Sequence, residues 1–185
     1  MEIYLIRHTA VQAPGICYGH YDVPLADTFA TEVAQLHPKL PPLPYRVFSS
    51  PAQRCRALAE TVATEITLDE RLREMHFGAW ENRRWTELPR TETEPWMADY
   101  VTLAPPAGET FGAVQQRAAA FLAELTATTA EEPTLIFTHG GTIRALVCHC
   151  LEMPLRNAFQ LQIDYASVTR LRLEHARWQL VKLNH

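Results

Sequence analysis

The stretch "TLIFTHGGTIRALVCHC", residues 134–150, changes its period halfway along. Residues 134–138 form a short, continuous apolar run, as expected of a strand covered on both faces. After His139, the apolar residues Ile143, Leu146, Val147, Cys150 and Leu151 recur at helical spacing. Gly140-Gly141 lets the backbone turn sharply between the two and exposes amide N–H groups at the helix start, a natural contact for an anion. A buried strand that feeds a helix through a tight turn is the repeating unit of an α/β fold.

The same pattern appears on either side. Residues 3–6 read as a strand that stops at Arg7-His8, and "YRVFSS" at 45–50 reads as a second. A helix follows with Pro51 near its first position and Ser49 or Ser50 as its cap. Asp27 is expected to cap an earlier helix carrying Phe29, Ala30, Val33, Ala34 and Leu36. Phe111, Val114, Ala118, Phe121, Leu122 and Leu125 make an apolar stripe at period 3.6. Residues 166–173 and 178–183 form a hairpin turned at "EHAR", and the proline clusters at 38–45 and 103–110 are loops. The expected architecture is a three-layer α/β/α domain spanning residues 1–185, without internal repeats. Its central sheet is mostly parallel with helices on both faces, and a C-terminal antiparallel hairpin adds to one edge.

Composition narrows the function classes. The 185 residues carry a net charge of −4, which argues against a broad nucleic-acid or anionic-membrane surface. No run approaches a membrane span, and Glu2 stands where a signal peptide would begin with a basic residue, so a cytoplasmic protein is expected. Cys17, Cys55, Cys148 and Cys150 lack a disulfide framework and read as reduced thiols. Cys148-His149-Cys150 reads as helix packing, because adjacent helical residues point in different directions and cannot share one ion.

Three strand ends bear chemistry: Arg7-His8, Arg54 just after the second strand, and His139-Gly140-Gly141. In an open parallel sheet these ends line one crevice, so Arg7, His8, Arg54 and His139 are expected to meet. Taken singly, each is an ordinary surface or turn residue. Together at one edge they call for a phosphoryl group, which an arginine fork grips through two oxygens. Two histidines beside arginines make a poor metal site, and no serine or cysteine stands in a nucleophile-elbow context. A histidine as nucleophile remains, kept neutral by the neighbouring arginines. For the proton donor, "RLREMHFGAWENRRW" at 71–85 offers Glu74, with Glu81 and Glu70 as competitors.

"LIRHT", "SSPAQRCRALAETVA", "LREMHFGAWE", "PPAGET" and "TLIFTHGGTIRAL", in that order, resemble the histidine phosphatase superfamily, also called phosphoglycerate-mutase-like. The resemblance implies His8 as the phosphorylated nucleophile, Arg7 and Arg54 as phosphate ligands, His139 as the second histidine, Glu74 as proton donor and Gly140 as a backbone facing the phosphate. "PGICYGHYDVPL" at 14–25, with Thr9 after the histidine, is similar to the alpha-ribazole phosphatase branch, which acts in cobalamin nucleotide-loop assembly. That similarity extends the binding set to Cys17, Tyr18, Gly19 and His20, with Tyr21, His76 and Trp80 as further walls for the leaving group. Asn82 departs from the family pattern, which has glycine there. The expected substrate is a small phosphorylated metabolite, alpha-ribazole 5′-phosphate first, and no metal or cofactor is expected. Alternatives are a broad-specificity sugar or nucleotide phosphatase, a phosphoglycerate mutase, and a non-catalytic module that binds phospho-ligands. A homodimer is compatible with the sequence.

Overall fold

The computed structural model describes residues 1–128 and 132–185. Six strands form one sheet: β1 (Glu2–Arg7), β2 (Arg46–Ser49), β3 (Thr67–Leu68), β4 (Thr134–Thr138), β5 (Val168–Glu174) and β6 (Arg177–Lys182). Their order is β3-β2-β4-β1-β5-β6. The pairs β1–β4, β2–β4 and β2–β3 are parallel, whereas β5 runs antiparallel to β1 and β6 antiparallel to β5. The hairpin therefore extends a parallel sheet at one edge, as its sequence indicates.

Alternate residues of the central strands go to opposite faces, because a strand repeats every two residues. Ile3 and Leu5 of β1 and Ile136 of β4 pack against α4 (Phe111–Thr126) and α5 (Gly140–Cys150). Tyr4, Ile6, Leu135 and Phe137 pack on the other side against α1 (Phe29–Leu36) and α2 (Gln53–Ala59). All six residues of the predicted stripe in α4 are buried. That helix starts where it does because the Thr110 hydroxyl accepts the Ala113 N–H at 3.0 Å. Cys148 and Cys150 point into different clusters, one beside Met75 and Phe111, the other beside Phe121 and Leu122.

Several local expectations are corrected. Asp27 caps nothing; its carboxylate accepts from Gln12 Nε2, and the helix begins after Thr28. Helix α2 starts two residues beyond Pro51, with the Ser50 hydroxyl accepting the Ala52 N–H. Leu151 lies past the end of α5 and is exposed. The two-residue β3 and the helix α3 (Arg90–Ala98) have no counterpart in the sequence reading. In α3, Pro95 and the many charges hide the helical pattern, and docking of Trp96 onto Trp80 and Trp85 holds the segment in place. Asn82 has φ 61°, a left-handed conformation that glycine takes freely and asparagine tolerates. The departure from the family pattern thus keeps the turn. Among the described residues, no helix is long and apolar enough to cross a membrane.

Because Ile136 is fully buried in a central strand, Ile136→Ala is expected to lower the unfolding free energy by about 2–5 kcal/mol, read from urea denaturation at unchanged m-value.

Candidate active site

β1 and β4 stop side by side, with Arg7 opposite Thr138. His8 N–H donates to the Thr138 carbonyl at 3.0 Å, and one strand over Ser50 N–H donates to Phe137 at 2.9 Å. The backbone ladder thus delivers His8, His139 and Ser50 to one edge, and the His8 and His139 rings meet edge to face at 5.2 Å. His8 Nδ1 lies 2.7 Å from the Thr9 carbonyl. A carbonyl only accepts, so Nδ1 carries the hydrogen, and the lone pair of the neutral ring lies on Nε2. His139 Nε2 is 2.8 Å from the Ser50 hydroxyl and 3.4 Å from Cys55 Sγ. Burial pushes the Cys55 thiol up to about 12, so it contacts the ring as a neutral group.

The electrostatics favour uncharged imidazoles. Burial first, then Arg54 and Arg7, lowers His8 well below the ordinary histidine value. Burial, Arg54 and His8 do the same to His139. Arg54 is fully buried, and residues 19–22 wrap it: Nη2 donates to the Gly19 carbonyl at 2.6 Å, and Nη1 to Tyr21 O and Asp22 Oδ1 at 3.3 Å each. Arg7 Nη1 donates to Ile163 O at 2.7 Å, and the Tyr165 ring lies 3.8 Å from its Cζ. Arg7 Nε and Arg54 Nε are buried without an acceptor. A bound anion would relieve this surplus of donors and positive charge.

Glu74 reaches the same edge from a loop. Its Oε2 accepts the Gly141 N–H at 3.0 Å and its Oε1 its neighbour's Met75 N–H at 2.9 Å. The Gly141 amide therefore serves the carboxylate rather than a phosphate, and a Cβ at Gly141 would collide with Oε1. Arg117 of α4 fixes the loop, its Nη1 donating to the carbonyls of Arg71 and Arg73 at 2.7 Å each and its Nη2 to that of Glu74 at 3.0 Å. Thr138 and Thr142 add hydroxyl bonds to the carbonyls of Leu72 and Arg73.

A cavity of about 170 Å³ opens between these groups. Arg7, His8, Tyr18, Glu74 and Gly140 line it, joined by Gly141 and Arg144, whereas Arg54 and His139 lie fully buried outside its lining. Its far wall is Phe77, Trp85, Trp96, Tyr100, Phe111 and Phe159. Three further predicted binding residues do not reach it. Cys17 is buried against Trp80 and Leu88, Gly19 offers only its carbonyl to Arg54, and His20 lies tilted against His76, ring centres 4.6 Å apart, beside Glu109. Gly19 is glycine because a Cβ would strike the Met75 carbonyl. Trp80 is core, with its indole N–H on Glu92, and Tyr21 is exposed. Glu81, the rival acid, accepts from the backbone N–H groups of His20, Tyr21 and Phe77 and ties two loops together.

Sequence reasoning missed the aromatic wall, Asp22 and Arg144. The wall residues are scattered from 77 to 159, so no local pattern joins them. Arg144 did leave a signal: it is a cation four residues after Gly140 in an otherwise apolar helix, hence on the same helical face.

Residues 3–185 match the histidine phosphatase superfamily (branch 1). The chain is similar to a Hydrogenobacter thermophilus protein provisionally named phosphoserine phosphatase 2, at 29% identity over 99% of this chain and 95% of that protein. It is 28% identical to the adenosylcobalamin/alpha-ribazole phosphatase of Salmonella typhimurium, over 99% of this chain and 91% of that one. Its structure superposes on the alpha-ribazole phosphatase of Shigella flexneri with a TM-score of 0.91 at 26% identity, covering 100% of this chain and 96% of that one.

Both buried imidazoles have lowered pKa values, so below 6.5 the unfolded chain binds protons that the folded chain refuses. Their contribution to stability is complete above that pH and falls as pH drops, by roughly 1.4 kcal/mol per pH unit for each ring. Urea titrations at stepped pH are expected to show this loss and its reduction by inorganic phosphate, whose charge favours the imidazolium.

Proposed function

Because the chain belongs to the histidine phosphatase superfamily (branch 1), we propose that it is a phosphomonoesterase working through a phosphohistidine at His8, with alpha-ribazole 5′-phosphate as substrate. The observation that carries the substrate reading is the cavity, charged at one end by Arg7, His8 and Glu74 and aromatic at the other. A phosphate ester of an alcohol with a planar, apolar body matches that polarity, since flat rings pack well against aromatic walls. The relatives named for alpha-ribazole support the same choice. Its biological setting would be nucleotide-loop assembly of cobalamin, with residues 1–185 acting as one catalytic unit.

In the first step the Nε2 lone pair of His8 attacks phosphorus as the bond from phosphorus to the leaving oxygen breaks. Glu74, in its acid form, passes its proton to that oxygen, and the alcohol departs neutral. The hydrogen bond to Thr9 keeps Nδ1 protonated, which fixes the ring and shares the positive charge that develops on it. Arg7 and Arg54 neutralise the phosphoryl oxygens, with His139 beside them. In the second step Glu74, now a carboxylate, takes a proton from water as its oxygen attacks phosphorus. The P–N bond breaks, its electron pair returns to Nε2, and inorganic phosphate leaves. Every atom is accounted for by substrate, water and these side chains.

His8→Ala is expected to abolish turnover, and Glu74→Gln to lower kcat by roughly 10²–10⁴-fold. Rapid quench of wild type should place acid-labile phosphate on the peptide containing His8; label on any other peptide refutes the nucleophile. In a kinetic panel, kcat/KM for alpha-ribazole 5′-phosphate should exceed that for O-phosphoserine, 3-phosphoglycerate and glucose 6-phosphate by at least roughly tenfold, the scale of one or two well-made extra contacts. Equal rates across the panel would leave a broad-specificity phosphatase, and dominant phosphoglycerate isomerisation would make the chain a mutase.

A further inference from the structure

Among the described residues that line the cavity, Arg144 is the one charged group that the proposed mechanism leaves idle. It stands in the second turn of α5, close to the positive end of that helix. Its Nε donates to the Leu161 carbonyl at 2.9 Å, and its Cζ sits 5.2 Å from the centre of the Phe159 ring. These two contacts fix the guanidinium plane. Its terminal nitrogens make no hydrogen bond or ion pair among the described residues, whereas Arg54, Arg71, Arg73 and Arg117 each have a carboxylate. Burial, and then Arg7, makes it harder for Arg144 to hold its proton, so its present setting disfavours the charge. A half-buried guanidinium oriented in this way, with its terminal nitrogens open to the cavity, is placed to meet an acceptor that arrives from outside.

Its position says which part of a substrate would supply one. Arg144 Nη1 lies 3.0 Å, and Arg7 Nε 3.3 Å, from the point a Cβ on Gly140 would occupy. The absence of a side chain at Gly140 therefore lets both arginines close over the start of α5. From there Arg7 continues to Tyr165, which lies 5.6 Å from the His8 ring, and Arg144 continues to Phe159 in the aromatic wall. Arg144 thus sits at the junction of the charged end and the aromatic end, beside the Glu74–Gly141 contact. Resting on the proposed phosphatase reading, we propose that Arg144 reads the leaving alcohol: its terminal nitrogens bind oxygen acceptors on carbons near the ester carbon, while Arg7 and Arg54 hold the phosphoryl group. Ribose oxygens and the carboxylate of a phosphorylated hydroxy- or amino acid share that chemistry. An arginine fork serves either, and a bare aromatic alcohol has nothing to offer it.

The test compares wild type, Arg144→Met and Arg144→Lys on phenyl phosphate, alpha-ribazole 5′-phosphate and O-phosphoserine, with inhibition by inorganic phosphate as the control for an intact phosphoryl site. Arg144→Met keeps an unbranched apolar side chain beside Phe159 and removes the guanidinium with its donors. For the oxygen-bearing substrate that wild type prefers, it should lower kcat/KM by at least roughly tenfold, mainly through KM, as loss of a charge-assisted hydrogen bond does. Phenyl phosphate turnover and phosphate inhibition should stay within about twofold, and Arg144→Lys should recover part of the loss. An equal loss on phenyl phosphate would make Arg144 a ligand of the phosphoryl group, and no loss on any substrate would make it idle; either result overturns the inference. A loss confined to O-phosphoserine, preferred by wild type, would uphold the role of Arg144 and overturn alpha-ribazole 5′-phosphate as the substrate. If wild type hydrolyses none of the three, the phosphatase reading falls and Arg144 loses its role with it.

Discussion

The arrangement turns on an electrostatic constraint: two buried imidazoles and three arginines share one end of a sheet with the carboxylates of Glu74 and Asp22. Like charges gathered away from water are costly, and the protein limits that cost in two ways. The imidazoles stay neutral, and the arginines hand part of their charge to backbone carbonyls and aromatic faces. Arg54 takes the carbonyls of Gly19 and Tyr21 together with Asp22, Arg7 takes Ile163 and Tyr165, and Arg144 takes Leu161 and Phe159. What remains is a pocket short of negative charge, matched to a phosphate dianion. Neutral imidazoles and a site attractive to an anion thus follow from the same crowding.

Sheet and loops contribute differently. The parallel strands set the spacing of His8 and His139 through backbone hydrogen bonds, which leave little room for drift. Glu74 lies on a loop outside any helix or strand, and Arg117 of α4, Thr138 of β4 and Thr142 of α5 hold that loop by binding successive carbonyls. Another contact crosses the cavity side of the site: the Tyr18 hydroxyl is 2.9 Å from that of Tyr165, while the two rings lie against Arg54 and Arg7. Loops distant in sequence are thereby joined over the two arginines.

Much of this was legible in the sequence where a residue's job is periodic or sits at an element's end. The stripe from Phe111 to Leu125 follows from a repeat of 3.6, because burial of one face leaves that trace in the chain, the strand at 134–138 follows from a continuous apolar run buried on both faces, and the terminal hairpin follows from two strand-like runs turned at "EHAR". Arg7, His8, Arg54 and His139 follow from the topology, since parallel strands put their carboxyl ends at one edge. Residues 17–22 were harder. They do belong to the site's surroundings, but apart from Tyr18 and His20 they hold Arg54 or fill core, and spacing alone does not separate a binding side chain from a binding carbonyl. The helix at 90–98 stayed hidden because Trp96 on Trp80 and Trp85 stabilises it, a contact that local propensity does not encode.

By itself, then, the sequence determined the fold class, the strand ends that carry chemistry and the family, all properties of order along the chain. Only the tertiary structure decided which nitrogen of His8 is free, that Gly141 serves Glu74, that Cys17 and Trp80 are core, and that Arg144 faces the cavity. The physical reason is that hydrogen-bond partners and cavity walls come from segments far apart in the chain. Phe77, Trp96 and Phe159 become neighbours only once the sheet and its helices have packed.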